Sequence, residues 1–178
     1  ADAFTLGESV ALAGPKVEPS SADAAPTPDD DVTLSIPETL DAPRGAELGT
    51  TVRLRNGGPR PITLLYRPEM LTFTVTGQKG EVSCGYPRRV SAPIRELYTT
   101  IGAKGAAETG VLVTTTCPAG TFDEPGLYRV LPRLDATGAS GRSLGLRTWD
   151  GVAVARTPLV IRVRNPRRQA PVPRPTLD

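Results

Sequence analysis

Three observations predict an all-β fold, a Greek-key β-sandwich of about eight or nine short strands with an extended arm at each end. Apolar residues alternate with polar ones in short runs. Turn signals separate those runs at about 8–12 residues, the spacing typical of sandwiches. No window sustains a helical period, so any helices are single turns. A closed barrel is the second choice. The 18 glycines and 19 prolines among 178 residues supply the turns and exposed arms that such a fold needs.

The elements follow in order. Val32, Leu34 and Ile36 alternate with Thr33 and Ser35 in a strand that Pro37 stops. After the turn Ala42-Pro43-Arg44-Gly45, Val52 and Leu54 face inward while Arg53 and Arg55 face outward. Asn56-Gly57-Gly58-Pro59 is a strong turn signal. Ile62 to Tyr66 makes a third strand, and Leu71, Phe73 and Val75, alternating with Thr72, Thr74 and Thr76, make a fourth with threonines toward water. Beyond the Gly77 to Gly80 turn, Val82 to Tyr86 and Leu97 to Ile101 read as short strands around an irregular Pro87 to Pro93. Gly105 to Gly110 reads as a turn leading into a strand from Val111 to Thr116.

The rest of the chain is organised around Phe122 to Val130. There Pro125 and Gly126 end one element and launch a strand with Tyr128 and Val130 on one face. Pro125, Gly126 and Tyr128 are therefore the candidate fold-defining turn. A Gly- and Ser-rich loop, Thr137 to Gly145, leads to the closing strands Trp149 to Ala155 and Leu159 to Val163, the second with Leu159, Ile161 and Val163 inward.

Three runs together, Val52-Arg-Leu-Arg-Asn56-Gly57, Leu71-Thr-Phe-Thr-Val75 and Pro125-Gly126-Leu127-Tyr128-Arg129-Val130, resemble bacterial secreted immunoglobulin-like domains. The resemblance covers roughly residues 32–164. It implies an immunoglobulin-like Greek-key β-sandwich and has almost no reach into function. The Cys, Trp, Cys order of antibody domains is absent, because Trp149 lies beyond both cysteines.

The expected division is an N-terminal arm and acidic linker over 1–31, a sandwich over 32–164 and a tail over 165–178. Residues 1–17 scatter Phe4, Leu6, Val10, Leu12 and Val17 among polar positions, a pattern for a short strand or hairpin docked on the body. Glu18 to Asp31 is a solvated linker of Pro, Ser, Ala and Asp. The net charge of +2 conceals a division: residues 1–50 carry −8 and residues 51–178 carry +10. An acidic arm lying on a basic body, its own or a neighbour's, explains this better than nucleic acid, since stacking aromatics are scarce. Arginine outnumbers lysine 18 to 3, which reflects coding bias more readily than guanidinium chemistry.

Cys84 and Cys117 are the only thiols. An even count without catalytic partners suggests one disulfide in an oxidising compartment, worth about 3–4 kcal/mol in the chain-entropy model. Two separate buried thiols are the alternative in a reducing one. The start at Ala1, without Met, fits a cleaved precursor or a trimmed chain. No run approaches the ~18 apolar residues of a membrane span. The expected location is extracytoplasmic: periplasmic, cell-surface or secreted.

The chain has no histidine, which removes Ser-His-Asp and Cys-His catalysis and the common zinc and copper sites. A Ser-Lys dyad would have to use Lys16, Lys79 or Lys104, each beside Gly or Pro in an exposed turn. Asp123 with Glu124 is the nearest carboxylate pair, but a solvated turn gives no means of separating two pKa values. Asp29, Asp30 and Asp31 offer hard oxygen ligands for Ca²⁺, with a solvated acidic run as the commoner explanation. The loop Gly138 to Gly145 lacks the Lys-Ser/Thr ending of a phosphate loop. No catalytic residue, cofactor or small-molecule ligand is expected.

The tail, with Pro166, Arg167, Arg168, Pro171, Pro173, Arg174 and Pro175, should be extended and close to polyproline II. Arg167, Arg168, Pro171, Pro173, Arg174 and Pro175 are candidate partner-binding residues, because pre-extended segments lose little entropy on docking and arginine offers planar donors. A disordered end is the alternative. The leading expectation is a non-catalytic, exported structural or protein-interaction subunit of a larger assembly that uses its arms and strand edges. The second is an accessory module of a secreted enzyme system, protease-inhibitory or carbohydrate-binding. A surface patch of two or more of Trp149, Tyr66, Tyr86 and Tyr98 would favour glycan, and their burial would favour assembly.

Overall fold

The computed structural model describes residues 31–87 and 93–166. Eleven short strands, rather than eight or nine, run along the described chain: β1 (Val32–Ser35), β2 (Thr39–Pro43), β3 (Gly49–Asn56), β4 (Ile62–Leu64), β5 (Leu71–Gly77), β6 (Gly80–Gly85), β7 (Thr99–Ile101), β8 (Ala106–Leu112), β9 (Gly126–Asp135), β10 (Val152–Val154) and β11 (Leu159–Arg164). One helical turn, α1 (Val113–Thr116), follows β8.

Two layers form. The smaller sheet has the order β1-β3-β8 and the larger β2-β11-β9-β5-β6, while β4 and β7 make a separate two-stranded ribbon. Pro37 explains why the first strand divides. It cannot donate to a ladder, so the chain leaves β3 after Ser35 and re-forms as β2 on the opposite sheet, parallel to β11. All other strand ladders are antiparallel.

The period-2 pattern sets the faces. Leu71, Phe73 and Val75 of β5, Tyr128, Val130 and Leu134 of β9, and Leu159, Ile161 and Val163 of β11 meet Val32, Leu34, Val52, Leu54 and Val111 of the smaller sheet in one core. Phe73 is fully buried at its centre, and truncating such a residue to Ala costs about 3–5 kcal/mol. Pro132 lies inside β9, where a missing N–H would ordinarily break a ladder. It sits where β9 exchanges one neighbour for another, between residues paired with β11 (up to Val130) and residues paired with β10 (from Arg133).

Asn56, 1% exposed, holds one end of the sandwich together. Its amide donates to the carbonyls of Arg60 (2.7 Å) and Gly102 (3.1 Å), and its Oδ1 accepts from the Gly58 amide at 3.0 Å. The Asn-Gly-Gly-Pro turn signal therefore serves two loops at once. Lys104 reinforces the junction by donating to the Gly57 carbonyl.

Two expectations are corrected. The stretch Gly105 to Gly110 is mostly strand: β8 begins at Ala106, in register from Gly49↔Leu112 to Arg55↔Ala106. The expected strand Val111 to Thr116 ends at Leu112, and Val113–Thr116 turns helically instead. Hydroxyls explain the turn. Thr115 Oγ1 donates to the Leu112 carbonyl (2.9 Å) and Thr116 Oγ1 to that of Val113 (2.8 Å), a local bonding mode that competes with a ladder.

Candidate interaction site

The Phe122 to Val130 stretch makes a corner between the layers. Tyr128, 5% exposed, donates its hydroxyl to the Glu124 carbonyl at 2.7 Å, so the first inward residue of β9 bonds back onto its own approach. That bond has the form of a tyrosine corner. Phe122 packs edge-on against the Tyr128 ring, with centroids 5.1 Å apart. The β5–β6 hairpin clasps the corner from outside. Gln78 donates to the Pro125 carbonyl, and the Lys79 ammonium meets the Glu124 carboxylate at 2.8 Å, which raises the lysine above its ordinary value. Gly77 is required here, because a Cβ would stand 2.6 Å from the Tyr128 ring.

Cys84 and Cys117 are joined in a disulfide. Cys84 lies in β6, but Cys117 follows α1 rather than a strand, so the bridge fastens the outermost strand of the larger sheet to the segment that enters the corner. Such a bond suits an oxidising compartment. Beside it, Arg44, Gln78, Lys79, Asp123 and Glu124 rim an open depression of about 620 Å³. Of Asp123 and Glu124, Glu124 is engaged by Lys79.

The four outer strands differ sharply. β6 carries the disulfide. β2 ends in Pro43 and holds Asp41 in an ion pair with Arg164 at 2.8 Å. β1 is bridged at Leu34 to Ala155. On β8, from Ala106 to Val111, no described residue hydrogen-bonds the backbone on the side away from β3, and only the Leu112 carbonyl at its end is taken, by Thr115 Oγ1. The single turn Pro68–Met70 lies near it without pairing. Ala106, Ala107 and Gly110 give this strand a low profile, its one charged residue, Glu108, pairs with Arg53 on β3, and it contains neither Lys nor Pro. Natural edges are commonly blocked by those residues. Sequence reading missed this edge altogether, and the one available signal was the alternation of Ala107, Thr109 and Val111 within an otherwise small-residue run.

Tyr66 is buried and donates to the Val52 carbonyl at 2.7 Å. Its hydroxyl is pushed far above the ordinary tyrosine value, first by burial and then by the Glu108 charge. Tyr98 donates to the Ala139 carbonyl, Trp149 packs half-buried on the core, and Tyr86 lines an apolar depression with Met70 and Leu97. Of the candidate aromatics Tyr66 is thus lost to the interior, and Tyr86, Tyr98 and Trp149 are half-buried. Among the described residues no group of three or more acidic or thiol side chains could hold a metal, and no helix is long and apolar enough to cross a membrane. Asp29, Asp30, Lys16 and the tail residues Arg167, Arg168, Pro171, Pro173, Arg174 and Pro175 lie outside the described residues.

The division of the first strand between layers, the β3–β8 ladder facing β11-β9-β5-β6, and the Tyr128 corner together define an immunoglobulin-like β-sandwich. No protein-family model matches the chain, and no curated protein matches it. Solved structures resemble it distantly. A CARDB domain from Pyrococcus furiosus, determined in complex with di-metal ions, is 14% identical, with 75% of this chain and 92% of that one covered at a TM-score of 0.37. A PapD-like domain of human CEP192 is 10% identical, with 86% and 99% covered at 0.33. The Salmonella enterica SafA pilin in complex with the SafB chaperone is 14% identical at 0.29, with 74% of this chain and 54% of that one covered.

Proposed function

We propose that this protein is a non-catalytic, extracytoplasmic β-sandwich that serves as a structural or protein-interaction subunit, joining its neighbours through the β8 edge and its C-terminal arm. The observation that carries the reading is β8 itself, seven residues at the end of a sheet whose outer backbone from Ala106 to Val111 is unpaired among the described residues. A row of free N–H and C=O groups is a template for an added strand, and small side chains let another backbone approach. The disulfide supports export, because such bonds persist in oxidising compartments. The Arg- and Pro-rich tail supplies the kind of extended segment that a neighbour's edge accepts.

The test is particle mass by light scattering, at low and high salt, for the full chain, a chain ending at 165 and Gly110→Lys. Nothing lies within 4 Å of a Cβ built on Gly110, so the lysine obstructs the edge and leaves the core alone. Particles larger than the 18.8 kDa monomer that dissociate with Gly110→Lys or with loss of the tail are expected. A monomer under every condition would remove self-assembly and shift weight to an accessory role in a secreted enzyme system.

A further inference from the structure

The outward face of the larger sheet carries a second surface. Along β9, Leu127, Arg129, Leu131 and Arg133 point away from the core, flanked by Val160 and Arg162 on β11 and by Thr72, Thr74 and Thr76 on β5. Register places Arg162 opposite Leu127 and Val160 opposite Arg129. Leu127 is 61% exposed. Arg164 on this face is neutralised by Asp41, but Arg129, Arg133 and Arg162 form no ion pair among the described residues. Three guanidinium groups separated by apolar side chains on a flat sheet fit an extended acidic segment with small apolar residues between its charges.

The chain contains such a segment, which joins the body at Asp31. Residues 18–30 hold Glu18, Asp23, Asp29 and Asp30, no basic residue, the small residues Ala22, Ala24 and Ala25, and Pro19, Pro26 and Pro28 to favour an extended backbone. Where the segment joins the body is fixed. Asp31 accepts from the Gly57 amide, and Leu34 lies beside Ala155, which places Asp31 level with the Asp135 end of β9, with β10 between them. Two strand spacings across and two residues along β9, about 12 Å in all, separate that point from Arg133. Arg129 is then roughly 24 Å away and Arg162 roughly 30 Å. Counted back from Asp31 at ~3.3 Å per residue, Asp30 and Asp29 fall within the first ~7 Å, Asp23 at ~26 Å and Glu18 at ~43 Å. At ~43 Å in full extension the segment is thus long enough to span the whole arginine row.

We propose that the acidic stretch Glu18 to Asp30 docks across the Arg133, Arg129 and Arg162 row of its own sandwich and covers the exposed Leu127, Leu131 and Val160. The occupant is this chain's own segment because its attachment point lies at one end of the row and its length matches it.

Thr76, exposed and opposite Arg129, is the place for a probe. The full chain carrying a benzophenone amino acid at position 76 is irradiated as a mixture of isotopically light and heavy copies, and the cross-linked peptides are mapped. Cross-links to residues 18–30 within one copy are expected, falling by at least ~5-fold in about 0.5 M salt and likewise with Asp23→Lys, Asp29→Lys and Asp30→Lys combined. Cross-links between light and heavy copies, to any other segment, or unaffected by salt and charge reversal would overturn the proposal, as would the absence of cross-links. Particle mass does not enter this result, so the β8 reading and this one fail separately.

Discussion

The two outermost strands β6 and β8 show how one sandwich treats its edges in opposite ways. β6 is fastened by the Cys84–Cys117 bond, and the hairpin that leads into it is held by Lys79 on Glu124, by Gln78 on Pro125 and by the Tyr128 ring against Gly77 of β5. β8 has one cross-strand ion pair, Arg53 with Glu108, in which both side chains are more than half exposed. Such a pair contributes at most about 1 kcal/mol. Cross-links concentrated on one edge and absent from the other make the first a fixed framework and leave the second free to accept a strand.

The largest expected effect removes what distinguishes β6. Cys84→Ser with Cys117→Ser should lower stability by about 3–4 kcal/mol in urea titrations, and β6 amides should then exchange with solvent as readily as those of β8. A loss below ~1 kcal/mol would show that the bond does little to separate the two edges.

On the β8 side, the Tyr66 hydroxyl links stability to pH. Its folded value lies above the ordinary 10.0, so the folded state keeps a proton that the unfolded chain releases. Its contribution is complete below pH 10.0 and declines above it, at up to about 1.4 kcal/mol per pH unit. Alkaline denaturation of the protein and of Tyr66→Phe should differ in slope above pH 10.0, and parallel curves would count against a buried, hydrogen-bonded Tyr66.

Smaller effects follow. Tyr128→Phe removes the corner bond to the Glu124 carbonyl and should cost about 1 kcal/mol, read as a shift in urea midpoint with an unchanged slope. Gly110→Lys should alter stability by less than about 0.5 kcal/mol while still affecting association, because it changes only the profile of the edge.

The strands that alternate strongly were legible in the sequence: Leu71, Phe73 and Val75, or Leu159, Ile161 and Val163, announce an inward face with nothing but periodicity. What escaped has a physical reason in each case. β2 is Thr39-Leu-Asp-Ala-Pro43, with one half-buried leucine and a proline, and it forms because β11 offers a parallel partner after Pro37 has expelled the chain from the smaller sheet. β8 buries only Val111 and so shows almost no pattern, which is what makes it an approachable edge. The β-branched run Val113 to Thr116 reads as strand, but its hydroxyls find local carbonyls first. Pro125 and Gly126 were legible as the turn that launches β9, whereas the clasp by Gln78 and Lys79 depends on a hairpin that only the folded chain brings alongside.

The most direct test of the β8 edge is the mass of the native particle by light scattering across a concentration series, the unaltered chain beside Gly110→Lys. An assembly that grows with concentration and reverts to 18.8 kDa in the variant is the predicted result. Identical masses for the two proteins, whether both monomeric or both assembled, would contradict the assignment of β8 as the joining edge.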